Sequence, residues 1–295
     1  MTAALAPTPI EAFSAALAGI VATATPSIVS VRAKGSRSSG FVWRPGLVVT
    51  PDDALAEEGP FAVTRADGES IPAQLVGRDP TTDIALLRLE RADGLQPVTL
   101  AEASVSPGAL ALTVGADDGT PVVAYGVVAR AAGPWRSLRG GEIDTRIDLD
   151  LRLRRSAEGG LVLGAAGQAL GMAVFGPHRR VLVIPSATIQ RVAATLERQG
   201  RIARGYLGLG LQPVALDGGG AGAMVISVDP KGPGAKAGIF QGDIVVAWNG
   251  EPVRHLQTLL RALGPSSVNQ TVTLDLRRAG QTRQVSLTIA ERPAT

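Results

Sequence analysis

The side chains that most often carry nucleophilic or proton-transfer chemistry are nearly missing from this chain. It has no cysteine and only two histidines, His178 and His255, which lie far apart in the sequence. The lack of cysteine excludes disulfides, thiolate nucleophiles and cysteine-ligated metal centres. We therefore expect no mechanism that needs two or three neighbouring imidazoles.

Composition narrows the class of protein further. The chain has 295 residues, of which 45% are hydrophobic and 19% charged, so it can form one large or two medium domains and is not disordered. The apolar stretch Ala12–Ala24 is shorter than the about 20 residues of a membrane-spanning helix, and we predict no membrane span. Aromatic residues make up 3% and the arginines are scattered, so no nucleic-acid partner is expected.

Most of the chain consists of short β-rich runs separated by Gly, Pro and Asp, so the side chains of any functional site must lie on these strands or on the turns between them. One cluster of runs extends from Ile28 to Leu89 and a second from Leu110 to Ile184, which is typical of two β-barrels. Ile10–Val21 has the spacing of a short amphipathic helix, and a second helix is predicted from Ser186 to Gly200. We predict three regions: a helical segment (1–25), a double-barrel domain (26–200) and a small α+β domain (201–295).

The last region resembles a PDZ domain over its whole length. The resemblance rests on Arg204-Gly205-Tyr206-Leu207-Gly208-Leu209 and on the run Gly234-Ala235-Lys236-Ala237-Gly238-Ile239-Phe240-Gln241-Gly242-Asp243-Ile244-Val245, followed by an Asn249-Gly250 turn. An Asn-Gly pair suits a tight hairpin because both residues tolerate positive φ.

The double-barrel region is similar to the HtrA family of trypsin-like serine proteases, which carry a C-terminal PDZ domain. The most specific motif is Asp79-Pro80-Thr81-Thr82-Asp83-Ile84-Ala85, and Pro26-Ser27-Ile28-Val29-Ser30-Val31 and Ile184-Pro185-Ser186 add to it. The resemblance implies a mostly β fold, a trypsin-like double six-stranded β-barrel followed by the PDZ domain.

The resemblance also gives three catalytic positions. The family's orienting aspartate matches Asp83, its histidine base falls on Asp53, and its nucleophilic serine falls on Glu158. No histidine precedes residue 178, so a shift of the alignment does not restore an imidazole base. Serine hydrolysis needs such a base, and we therefore expect no catalytic residues and no enzyme activity.

The function predicted from these positions is that of a catalytically inactive HtrA-like pseudoprotease. It would act as a PDZ peptide-binding scaffold, chaperone-like holder or regulatory and assembly protein. Two alternatives stay open: an active serine-type endopeptidase with non-standard catalytic residues, for which Ser156 is the residue to test, and a structural subunit of a larger complex.

Three carboxyl groups meeting at one site cannot all stay ionised without compensation. Asp53, Asp83 and Glu158 would hold a hard cation such as Ca²⁺ or Mg²⁺, be neutralised by Arg154 or Arg155, gain protons, or point away into water. We favour the last three interpretations over the cation, and predict no metal and no cofactor.

The PDZ resemblance predicts a site for protein or peptide C-termini, bound by β-augmentation. The N–H groups of Leu207, Gly208 and Leu209, in the loop that starts at Tyr206, would bind the terminal carboxylate. An apolar groove would be lined by Leu209, Leu211, Leu256, Leu260 and Leu263, although a plain core role is at least as good an interpretation for Leu260 and Leu263.

Two further predictions concern location and assembly. The first basic residue, Arg32, follows the apolar segment, which is not the order of a signal peptide, so the chain as given is predicted to be cytoplasmic, or periplasmic if it is a processed form. The resemblance implies a homotrimer, for which the apolar stripe Phe13, Leu17 and Ile20 is available.

Overall fold

A computed structural model describes residues 7–100, 104–216 and 219–293. The fold is mostly β and contains two closed six-stranded barrels and a smaller sheet, which confirms the predicted fold class. The chain divides into two compact units. The first unit consists of the chain up to Trp135 together with Glu142–Arg201. The second unit consists of the short segment Arg136–Gly141 together with the chain from Ile202 onward.

The N-terminal helix α1 spans Pro9–Ala24 and is followed by a 3₁₀ turn at Thr25–Ser27. It starts with a capping box, in which the Thr8 side chain accepts from the Glu11 N–H and the Glu11 carboxylate accepts from the Thr8 N–H. Its apolar side is exposed at Ile10 and Phe13. By length and composition alone, Pro9–Ser27 could cross a membrane, and a signal sequence near an N-terminus has the same properties.

The first barrel places its strands in the order β1-β2-β3-β6-β5-β4. Its strands are β1 (Ile28–Ala33), β2 (Ser36–Arg44), β3 (Leu47–Thr50), β4 (Phe61–Thr64), β5 (Ser70–Asp79) and β6 (Ile84–Leu89). All neighbouring strands are antiparallel, and β3 pairs with β6 so that Thr50 lies opposite Ala85. Val29, Val42, Ile71 and Leu87 pack at its centre without contact with solvent.

The second barrel has the order β11-β14-β13-β12-β7-β8. Its strands, together with the short β9 and β10 of the connection, are β7 (Leu110–Asp117), β8 (Thr120–Ala132), β9 (Trp135–Arg136), β10 (Glu142–Ile143), β11 (Arg146–Asp150), β12 (Leu161–Gly164), β13 (Ala169–Phe175) and β14 (Val181–Pro185). Ala111, Val128, Val162 and Ala173 are fully buried or nearly so in its core. The chain then forms α2 (Ser186–Gln199), which ends at Gly200 with φ +70°.

The second unit is built on one antiparallel sheet in the order β16-β17-β18-β20-β21, with β19 beside β18. Its elements are β15 (Gly205–Tyr206), β16 (Leu209–Ala215), β17 (Ala221–Val228), α3 (Pro233–Lys236), β18 (Ile244–Trp248), β19 (Glu251–Pro252), α4 (Leu256–Ala262), β20 (Thr271–Arg278), β21 (Gln281–Thr288) and β22 (Ala290–Glu291). It has its own core, in which Val225, Leu259, Leu274 and Ile289 are buried. The sequence also predicts a loose hairpin loop at the glycines 218, 219, 220 and 222, and position 218 lies outside the described residues.

Candidate functional site

Two of the three predicted carboxyl groups lie at one end of the first barrel. Asp53 follows β3 and Asp83 precedes β6, and these two strands are hydrogen-bonded neighbours. The Asp53 N–H donates to Oδ1 of Asp83 over 2.7 Å, so the two residues are in direct contact.

The Asp79-Pro80-Thr81-Thr82-Asp83 motif forms the turn that holds Asp83. The buried Asp79 carboxylate accepts from the Thr81 N–H at 3.1 Å and from the Thr82 hydroxyl at 2.7 Å, which is an Asx turn. Asp83 then adopts φ +58°, a left-handed conformation that aspartate tolerates better than most residues. The motif therefore fixes the backbone that presents the Asp83 carboxyl group.

Arg78, which the sequence analysis did not select, positions the loop that carries Asp53. Its guanidinium pairs with the buried Asp52 at 3.1 Å and donates to the backbone carbonyls of Ala56 and Glu57. The signal that could have identified it is its place directly before Asp79 in the family-like motif.

The third carboxyl group belongs to the second barrel. Glu158 follows a 3₁₀ turn at Arg155–Ala157, and its backbone carbonyl accepts from the Ser39 N–H at 2.7 Å. Its Oε1 accepts from the Phe175 N–H at 3.2 Å. Gly159 has φ +88° and lies so close to the Ser39 carbonyl that a Cβ atom would collide with it. The turn thus requires glycine directly after Glu158.

Burial dominates the electrostatics of Asp83. It raises the pKa of Asp83 to about 8, and the N–H of Asp53 opposes this only in part. The negative charges of Asp53, Glu158 and Asp52 raise the same pKa further. At neutral pH the Asp83 carboxyl group is therefore largely protonated.

Burial also raises the pKa of Glu158, against the opposing effects of the Phe175 N–H and the Arg155 charge. The nearby charge of Asp53 acts in the same direction as burial. Protonation of Asp83 and Glu158 lowers the repulsion between these carboxyl groups. Among residues 7–100, 104–216 and 219–293, no group of three or more His, Cys, Asp or Glu is arranged to hold a metal ion.

Asp53 and Glu158 both line a cleft of about 940 Å³, together with Ser156, Arg155 and Phe175. The backbone N–H groups that follow the turn do not face this cleft. Those of Glu158, Gly159 and Gly160 donate to the carbonyls of Arg155, Ala173 and Ala157 at 2.8–3.2 Å. The arrangement can therefore do acid–base chemistry on a bound water through carboxyl groups, and in this conformation has no oxyanion pocket of backbone donors at the turn.

The second candidate site is the loop between β15 and β16. The carbonyls of Leu207 and Gly208 accept from the N–H groups of Gly234 at 2.7 Å and Asp229 at 2.8 Å. Since a trans peptide places N–H opposite C=O, the N–H groups of Gly208 and Leu209 point the other way. Gly208 has φ +71°, and a Cβ there would lie 2.9 Å from the Cα of Gly232. The loop can therefore present N–H donors only with glycine at this position.

The structure places the residues of the predicted peptide-binding loop and groove in three different surroundings. Leu256 and Leu260 of α4 line an open cavity of about 560 Å³ beside the end of β16, and Leu260 is 54% exposed. Leu207 is buried in the core, and Leu209, Leu211 and Leu263 pack partly against it. The Tyr206 side chain lies elsewhere, beside a different cavity, where its hydroxyl bonds Oδ2 of Asp229 at 2.9 Å. The sequence analysis missed Arg254 and Pro213, which also line the groove.

Comparisons with known proteins agree with this architecture. Residues 38–172 match the trypsin-like peptidase domain family and residues 205–289 match the PDZ domain family. The chain is 29% identical over 278 residues to a probable periplasmic serine endoprotease DegP-like of Rhizobium meliloti, covering 90% of this chain and 55% of that protein. It is 30% identical over 275 residues to the protein of the same name in Brucella suis, covering 88% and 53%. The chain thus spans about half the length of these relatives.

Solved structures show the same likeness. The serine endoprotease from Yersinia pestis superposes with a TM-score of 0.70 at 25% identity, covering 98% of this chain and all of that one. An HtrA-type protease AlgW with a bound decapeptide has a TM-score of 0.69 at 20% identity, covering 94% and 99%, and shows a shared fold.

Two predictions of the sequence analysis are wrong. The prediction of no enzyme activity is contradicted because relatives over most of the chain are named serine endoproteases. The physical error was to treat imidazole as the only possible acid–base group, although carboxyl groups with shifted pKa values also fill that role. The prediction of a cytoplasmic protein is contradicted because these relatives are named periplasmic and the apolar helix α1 has the properties of a signal sequence. The chain thus combines a trypsin-like peptidase domain with a PDZ domain, and over most of its length it is similar to DegP-like serine endoproteases.

Proposed function

We propose that this chain is an HtrA-type endopeptidase of the periplasm, which cleaves polypeptides with its double-barrel domain and binds C-terminal segments with its PDZ domain. We place the boundary between the two domains at residues 200 and 201. The observation that carries the proposal is the cleft that Asp53 and Glu158 share, at the positions of the family's base and nucleophile. The names of the relatives support the same activity.

We assign the acid–base steps to carboxyl groups, because the chain has no cysteine and neither histidine is among the described residues that line the cleft. We assign Asp53 as the general base that takes a proton from a water attacking the peptide carbonyl. Glu158, whose pKa is raised, is the general acid that protonates the leaving amine as the C–N bond breaks. The protonated Asp83 is a positioning residue, since it accepts from the Asp53 backbone and does not line the cleft.

Cleavage of fluorogenic unfolded casein by the full chain tests this assignment. We expect activity that declines as the pH rises through the pKa of Glu158, because only the protonated carboxyl group is an acid. Glu158→Gln and Asp53→Asn should each lower turnover by at least about 100-fold, whereas the exposed Asp150→Asn should not. Absence of cleavage at every pH between 4 and 9 would overturn the proposal.

A second candidate is serine-type catalysis, which is favoured by the place of Ser156 in the same cleft. A serine-directed phosphonate probe separates the two mechanisms. Carboxyl catalysis predicts that the probe leaves turnover unchanged and that Ser156→Ala stays active. Inhibition by the probe together with an inactive Ser156→Ala variant would assign the activity to Ser156 instead.

We also propose a homotrimer, by family resemblance, with the exposed apolar side of α1 as a contact surface. Sedimentation equilibrium should give three times the chain mass, and Phe13→Ser should shift the equilibrium toward smaller species. A monomer for the unchanged chain would contradict this part of the proposal.

A further inference from the structure

The peptide groove of the second unit has a definite direction. The Gly205 N–H donates to the Leu263 carbonyl at 3.0 Å, so the C-terminal end of α4 lies beside the loop that would bind a carboxylate. The N-terminal end of α4 and the C-terminal end of β16 line the other end of the groove. A peptide whose carboxylate sits at Gly208 must therefore run antiparallel to β16, with its upstream residues toward Ala215.

The main-chain pairing available to such a peptide ends before β16 does. β16 is an edge strand with one neighbour, β17, so its other edge is open within the described sheet. Pro213 has no N–H to donate, and the ladder stops there. Strands pair residue for residue, and Pro213 and Ala215 follow Leu209 by four and six positions. Peptide residues about four to six before the C-terminus must then be recognised by side chains.

The ionisable side chains that line that end of the groove are basic. Arg254 and His255 line it beside Gln257, and none of the described lining residues is a carboxylate. Arg254 is exposed and forms no ion pair with any residue that the structure describes. We infer that the PDZ groove selects C-terminal peptides that carry an acidic side chain four to six residues before an apolar last residue, and that Arg254 pairs with this acidic side chain. The inference rests on the proposed peptide-binding function.

Binding of synthetic peptides to the full chain tests the inference. Three decapeptides would share an apolar C-terminal residue and differ only in having Glu, Gln or Lys at the fourth to sixth positions before it. Fluorescence polarisation at low salt should show the Glu peptide binding about two- to fivefold more tightly than the Gln peptide, as for an exposed ion pair, and the Lys peptide more weakly. The difference should shrink at 0.5 M NaCl, where screening is stronger.

Arg254→Gln should remove the difference between the Glu and Gln peptides. Arg283→Gln is the matched control, because Arg283 is exposed on β21 at the opposite edge of the same sheet. Equal binding of the Glu and Gln peptides to the unchanged chain, or a difference that survives Arg254→Gln, would overturn the inference while peptide binding stands. Binding of none of the three peptides would overturn both the inference and the proposed PDZ function.

Discussion

Asp83 couples the stability of the first unit to pH. Its pKa is about 8 in the folded chain because burial and neighbouring carboxylates disfavour its charge, whereas an unfolded chain has the ordinary value of 3.8. The folded state keeps its proton as the pH rises above 3.8, while the unfolded state loses its own and gains stability. The contribution of Asp83 is thus fully present below pH 3.8 and is lost as the pH rises toward 8.

Asp83→Asn should remove this dependence. Asparagine keeps an oxygen for the Asp53 N–H and tolerates the left-handed φ, so the fold is retained. Urea denaturation at pH 5 and pH 8 should show that the free energy of unfolding falls less with pH in Asp83→Asn than in the unchanged chain. Asp150→Asn, an exposed carboxyl on β11, is the control, and a pH dependence of Asp83→Asn parallel to that of the unchanged chain would contradict the argument.

Asp243 is a buried carboxyl group of the second unit, and its partner decides its state. Asp243 is 1% exposed and accepts two bonds of 2.7 Å from Arg278 and one of 2.9 Å from the Phe240 N–H. Burial alone would raise the pKa of Asp243, but these donors outweigh burial and lower it. The Gly-Asp pair of the PDZ-like motif therefore fixes the loop before β18 to the end of β20.

Arg278→Leu should destabilise the PDZ unit by about 3 kcal/mol, since it leaves a buried charge without its partner. Chemical denaturation followed by the fluorescence of Trp248 in β18 would measure the loss. Arg277→Leu on the same strand, which makes none of these bonds to Asp243, should change the free energy of unfolding much less. Equal effects of the two variants would show that the ion pair does not hold this loop.

The contact between α2 and β5 requires a glycine at position 77 of β5. A Cβ atom at Gly77 would collide with the carbonyl of Gly200, the residue that ends α2. The helix therefore closes against the barrel only because β5 has no side chain at this point. Gly77→Ala should cost about 1–3 kcal/mol, the range for overpacking a tight contact.

Thermal unfolding of Gly77→Ala would measure this cost against Gly133→Ala, where a Cβ atom would meet nothing within 4 Å. We expect the melting temperature to fall for Gly77→Ala and to stay nearly unchanged for Gly133→Ala. A Gly77→Ala protein as stable as the unchanged chain would mean that the end of α2 can move away from β5 without loss.

At the level of the whole chain, the sequence was sufficient for the architecture and insufficient for the site. The two clusters of short β-rich runs predict both barrels, because strands and the turns between them depend on local residues. The direction of a side chain depends on distant backbone. Glu158 turns to the Phe175 N–H and Tyr206 turns to Asp229, contacts that no spacing in the sequence encodes. Arg254 was missed for the same reason, since its role depends on where β16 ends.

The two units have separate hydrophobic cores, so each should unfold in a transition of its own. A ligand that binds one folded unit stabilises that unit alone. The Glu-containing decapeptide at a hundred times its Kd should stabilise the PDZ unit by about 2.7 kcal/mol and leave the double-barrel transition unchanged. Differential scanning calorimetry of the full chain would show one transition moving and one fixed. If both transitions rose together, the PDZ unit would be coupled to the barrels, and peptide binding would then also act on the candidate active site.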